Sequence, residues 1–234
     1  MKATSENNFF SITAIWFLLI VFAGFAPSFY LLNLYEDPEP VPTHLVIHGV
    51  VHTIWVLLYA IQAFLIRNMN YSLHKALGLF GLVVMILMVP TGMFPVVFKF
   101  YSGDTTIDGA GHNVFRFLFC YLFFAMAFYQ RKQPFLHKRY MLACMNMLMG
   151  AAIFRISMDI GLVESQLFNK GLQILPAVAL FIFDFINYRK IVPVDLISIA
   201  AVLAIFFLAD YFWFSDSGEA VMNFLISLFV SPFL

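Results

Sequence analysis

A chain of 234 residues that is 62% hydrophobic, holds 30 Phe and carries only 11% charged residues is too oily for a water-soluble domain of this size. The 13 Lys and Arg are balanced by 13 Asp and Glu, so net charge gives no footprint for nucleic acid. There is also no phosphate-cradling loop, dinucleotide fingerprint or metalloprotease helix motif, and the composition points to an integral membrane protein.

A span needs about 20 predominantly apolar residues. The opening stretch "MKATSENNFFSITAIWFLLIVFAGFAPSFYLLNLY" lacks a small-residue cleavage pattern after a short core, so it reads as a retained first span over roughly 9–34, not as a secretory signal. The next spans are expected at roughly 43–66, 76–100, 113–130, 140–162, 167–188 and 194–214. Pro27, Pro90, Pro95 and Pro176 fall inside them and are read as packing kinks. The tail "EAVMNFLISLFVSPFL" has about 16 residues, which leaves three options: dipping into the interface, lying along it, or a short eighth span. Trp16, Tyr30, Tyr101, Tyr211 and Trp213 suit an interfacial belt. The expected fold is an all-α integral membrane protein, a seven-helix transmembrane bundle with a short apolar C-terminal segment. Residues 1–234 form a single transmembrane helical domain without internal repeats. Cys120 and Cys144 read as small buried hydrophobes.

Lys and Arg collect in alternate loops: Arg67 and Lys75, then Arg131, Lys132, Lys138 and Arg139, then Arg189 and Lys190. The intervening loops hold Glu36, Asp37 and Glu39, then Asp104 and Asp108, then Glu164, and finally Asp216 and Glu219. The positive-inside rule therefore predicts a cytoplasmic N-terminus, with Lys2, and outward acidic loops. The basic residues also suit anionic lipid head groups.

The second span contains "THLVIHGVVHTIW", with His44, His48 and His52 four residues apart. Four residues advance a helix by about 6 Å and turn it by about 40° past a full turn, so the rings form a slanted stripe. Metal–imidazole bonds of about 2.0–2.1 Å allow at most two of the three to share one ion. His44 reads as an interfacial residue. Near the same depth lie His112 and Arg116, one turn apart in "GHNVFRF", Arg155 and Asp159 in "FRISMDIG", and Asp210. Ionisable groups inside spans usually face the bundle interior. One polar outer pocket is therefore expected, although Arg155 with Asp159 also reads as a structural pair and Asp210 as a span-end residue. A second polar set, Gln62, Arg67, His74, His137, Lys138 and Arg139, lies near the opposite face, where His74 and His137 read as interfacial helix-start residues. The Met-rich "MLACMNMLMG" reads as core packing.

"LHKALG" after a His-bearing span with Gln62 and Arg67, and later "LHKRYMLACMNMLMGAAIFRI", make the chain similar to a large group of uncharacterised bacterial multi-pass membrane proteins. The likeness covers roughly residues 44–156 and rests on His48, Gln62, Arg67, His74, Gly78, His137, Arg139, Met141 and Arg155. It implies a membrane fold, in keeping with a bacterial inner membrane, and little chemistry. More weakly, the chain resembles the di-heme transmembrane b-type cytochromes, in which histidines of spans 2 and 4 and of spans 3 and 5 hold two hemes. That resemblance implies an outer heme on His48 or His52 with His112, and an inner one on His74 with His137. Arg116 and Arg155 would then pair with propionates or tune the site. His74, His112 and His137 sit at helix ends here, however, and His44 has no place in that scheme.

Three functions follow as expectations. One is a membrane redox or redox-accessory protein binding heme b through histidines of the bundle, for which a membrane or redox partner protein is a fitting associate. The second is an outer copper or zinc site on His48, His52 and His112, for metal handling or complex assembly. The third is a carrier, sensor or structural subunit without a cofactor. Whether the chain is an enzyme, and its oligomeric state, stay open.

Overall fold

The computed structural model describes residues 2–34 and 40–233. The loop acids Glu36, Asp37 and Glu39 lie outside the described residues. The described residues are helical and form no strand: α1 (Lys2–Phe25), α2 (Thr43–Arg67), α3 (Tyr71–Tyr101), α4 (Ile107–Tyr129), α5 (Pro134–Met147), α6 (Gly150–Asp159), α7 (Gln166–Tyr188), α8 (Pro193–Phe207), α9 (Ala209–Trp213) and α10 (Asp216–Phe229). Five helical segments are long and apolar enough to cross a bilayer, and α5 with α6 makes a sixth when that bent pair is taken as one span.

Local chemistry sets the ends and breaks. Asn70, Ser165 and Ser215 cap α3, α7 and α10 by accepting from the backbone N–H three residues on. Proline opens α5 and α8, where a missing N–H costs nothing. After Phe25 the first span continues as a π-helical turn, Ala26–Tyr30, in which Leu31 N–H reaches Ala26 O at 2.8 Å; Pro27 supplies no N–H of its own. Pro90 and Pro95, by contrast, leave α3 continuous from Tyr71 to Tyr101.

The stretch expected as one fifth span is broken. α5 and α6 meet at 42°, because Leu148 and Met149 N–H turn back to Met145 O and Asn146 O over three residues instead of four. The expected seventh span is likewise divided at Leu208 into α8 and α9. α10 rises only about 21 Å at 1.5 Å per residue, short of the roughly 30 Å of hydrocarbon. It packs along α3, and Phe233 beyond it meets the Phe94 ring at 5.5 Å. That arrangement favours a tail lying on the bundle over an eighth span.

Side-chain contacts fix the threading. At one end the starts of α1 and α5 join the end of α7 through Glu6, Arg139 and Asp184, and the end of α2 meets the start of α3 through Gln62 and His74. At the other end, the start of α4 meets α9 through His112 and Asp210, and α6 meets the turn after α1 through Arg155 and Ser28. The Lys- and Arg-rich loops all fall at the first end, called here the basic end. Asp104, Asp108, Glu164, Asp216 and Glu219 fall at the opposite, acidic end.

The interior is closely packed around Phe17, Trp55, Met85, Met88, Leu142, Met145, Met147, Met149 and Trp213. The Met-rich segment is thus core, and Cys120 and Cys144 lie in the same interior as free thiols with sulfurs 3.4 Å apart. Ile12, Leu19, Ile47, Val50, Leu57, Leu79, Val83 and Ile86 point outward, as apolar stripes suited to acyl chains. α1 and α6 cross at Gly24, where an added Cβ would strike the Ala152 backbone, 2.7 Å from its Cα. Backbone cannot swing aside as a side chain can. Gly24→Val is therefore expected to cost about 1–3 kcal/mol through overpacking, read as a lowered thermal unfolding midpoint in detergent.

Candidate functional site

Two polar sets occupy the two ends. At the acidic end, His48 and His52 project from one face of α2, their rings 5.9 Å apart and nearly parallel. His52 is buried against Phe25, with ring centres 6.3 Å apart, and His48 approaches Phe117 of α4 at 6.3 Å. Arg155 lies 4.9 Å over the Phe25 ring and donates to Ser28 Oγ at 3.0 Å. Arg155 thus turns to Ser28, and Asp159 stays exposed one turn away. Arg116 donates to Asn113 Oδ1 at 3.2 Å and lies over Gly150, while its Nε has no partner. Phe25 therefore links His52 and Arg155, with His48 and Phe117 continuing the cluster to the Arg116 turn.

Two expected members stand apart. His44 turns to the Phe94 and Phe98 rings of α3, each 5.4 Å away. His112 bonds Asp210 at 2.6 Å, in a pair exposed enough (24% and 56%) that solvent screens it. Among the described residues, no three His, Cys, Asp or Glu side chains converge as a metal centre would require.

At the basic end, four residues into α3 and four into α5, the rings of His74 and His137 approach each other, 6.4 Å between centres and 85° between planes. His137 Nδ1 bonds Ala127 O at 2.8 Å. A carbonyl only accepts, so Nδ1 carries the proton and Nε2 keeps its lone pair. His74 is braced through its backbone, where Gln62 Nε2 donates to His74 O at 3.1 Å. Its own Nδ1 is buried without a partner. One turn further along α3, a Cβ on Gly78 would meet only Gln62 Nε2, at 3.8 Å, an ordinary contact.

Beside this pair lies a charge network that sequence reasoning saw only in part. Arg139 is fully buried and donates through Nε and Nη2 to the two oxygens of Asp184. Its Nη1 serves Glu6 Oε1 at 2.9 Å and Phe135 O at 2.7 Å, and its guanidinium lies 3.5 Å over the Phe135 ring. Lys138 pairs with the other Glu6 oxygen at 2.7 Å. Asp195, also fully buried, stands beside Asp184, with neither carboxyl oxygen bonded. Arg139 was legible as a basic-loop residue, whereas Glu6, Asp184 and Asp195 were passed over. The available signal was a lone carboxylate in each of two apolar runs, "ALFIFDFINY" and "VPVDLISIAA".

No family model, curated protein or solved structure matches this chain.

Proposed function

We propose that this is an integral membrane redox protein that binds heme b at its basic end between His74 and His137. The observation that carries the reading is the close approach of two imidazoles from different helices. Two bonds of about 2.0–2.1 Å to one central ion put the ligating nitrogens about 4 Å apart and the ring centres somewhat over about 6 Å apart. The observed 6.4 Å suits that arrangement. With two imidazoles and no third His, Cys, Asp or Glu converging on them among the described residues, the donor set suits iron whose remaining ligands come from a macrocycle better than a bare ion. When bound, heme supplies one-electron storage and transfer.

The chain's own part is positioning. Ala127 O fixes the His137 tautomer and ring, and a carbonyl acceptor behind a ligating imidazole also raises its basicity. Gln62 ties the end of α2 to the start of α3. In this reading α8 with α9 forms a seventh crossing, the basic end is cytoplasmic, and a soluble or membrane-bound redox partner meets the protein there. The test is the absorption spectrum of detergent-purified protein, oxidised and dithionite-reduced, with iron measured on the same sample. A Soret band with sharpened reduced bands supports the reading. A featureless spectrum from protein made in heme-replete cells contradicts it.

A further inference from the structure

We infer that Asp195 and Asp184 form a proton-binding site at the basic end, in which one proton, held on Asp195, is shared toward Asp184. Glu6 of α1, Lys138 and Arg139 of α5, Asp184 of α7 and Asp195 of α8 make three acids against two bases. Lys138 pairs with Glu6, and Arg139 pairs with both Glu6 and Asp184, so two cations meet three carboxylates and Asp195, the one carboxylate without a cation, is the surplus acid. Tyr188 of α7 adds an aromatic face 5.6 Å from the Arg139 guanidinium and no charge. Lys190 lies 5.0 Å from the Phe135 ring and makes no ion pair with Glu6, Asp184 or Asp195.

Both Asp184 oxygens accept from Arg139, whereas the Asp195 oxygens touch no donor even though the residue is fully buried. A bare carboxylate there would be a buried, unpaired charge beside a second carboxylate, an arrangement whose cost exceeds that of taking up a proton. With a proton, Asp195 becomes a donor and Asp184 offers the acceptor lone pairs that Arg139 leaves over. The cluster is then neutral. The proton comes from water at the basic end, and its release leaves one net negative charge on the pair. Ser198, one turn further into α8, is buried with its hydroxyl unpartnered, which gives the proton a next polar stop inside the bundle. None of this requires heme.

The test compares wild type, Asp195→Asn and Asp184→Asn in detergent. Infrared spectra in H2O and D2O should show an exchange-sensitive acid C=O band in wild type that Asp195→Asn removes. Because Asn is neutral and donates as the protonated acid does, Asp195→Asn should unfold within a few degrees of wild type. Asp184→Asn, which takes the two-oxygen partner from Arg139 and leaves it only the Glu6 it shares with Lys138, should unfold on the order of 10 °C lower. Three results overturn the proposal: no such band in wild type, an Asp195→Asn protein that fails to fold or falls as far as Asp184→Asn, or a wild-type midpoint raised by sodium over choline and insensitive to it in Asp195→Asn. The last result would assign the pair to a metal cation instead of a proton. All readouts are made without heme, so a failed heme spectrum and a failed proton site are separable.

Discussion

Replacing Arg139 with Met should leave little folded protein. The guanidinium, itself fully buried with Asp184, neutralises that residue with two parallel hydrogen bonds, shares Glu6 with Lys138 and holds the Phe135 carbonyl. Removing one member of a buried pair leaves the other charged and unpaired, at a cost of about 3–5 kcal/mol. That is a large share of a domain's net stability of roughly 5–15 kcal/mol. Three helices meet at this residue, so the loss is expected as aggregation on size-exclusion chromatography and a collapsed unfolding midpoint. Arg139→Lys should fall between, since an ammonium keeps the charge but lacks the planar fork that meets both Asp184 oxygens. The double variant Arg139→Met, Asp184→Leu should recover part of the loss, because apolar replacement of both partners removes the stranded charge.

The second large effect is spectroscopic. His74→Ala or His137→Ala should reduce bound heme at least tenfold, because in the proposed site each ring would supply one of only two protein ligands. His48→Ala and His112→Ala should leave the spectrum of the basic-end site unchanged. His48 lies at the far end of α2 and His112 is engaged with Asp210. The comparison separates this pair from the histidine stripe that dominates the sequence. If His48→Ala alone abolishes the spectrum, the site has been placed at the wrong end.

The limits of sequence reading follow from what periodicity reports. Hydropathy located the long helices, because lipid demands unbroken apolar length, but set the starts of α1, α3, α4 and α5 several residues late. It could not show the bend between α5 and α6, which arises from three-residue hydrogen bonding at Leu148 and Met149, with no proline there to announce it. The stripe of His44, His48 and His52 was visible as a spacing, yet the helix face of each ring depends on neighbours, and His44 turns to Phe94 and Phe98 while His52 turns inward to Phe25. His74 and His137 were legible as helix-start residues and, through resemblance, as a pair. Only the packing of α3 against the rest of the basic end brings their rings to 6.4 Å. Glu6, Asp184 and Asp195 were hard to connect because 133 residues separate Glu6 from Arg139 and another 45 separate Arg139 from Asp184. A lone carboxylate in an apolar run signals a buried partner without naming it.

In the proposed site His74 and His137, whose ring planes stand 85° apart, would hold one iron between them. The most direct test is low-temperature electron paramagnetic resonance of the oxidised, purified protein. The expected result is a low-spin ferric signal, as two imidazole ligands would give, lost in both His74→Ala and His137→Ala. Heme-replete protein that shows no low-spin ferric signal, or one that survives both substitutions, would contradict it.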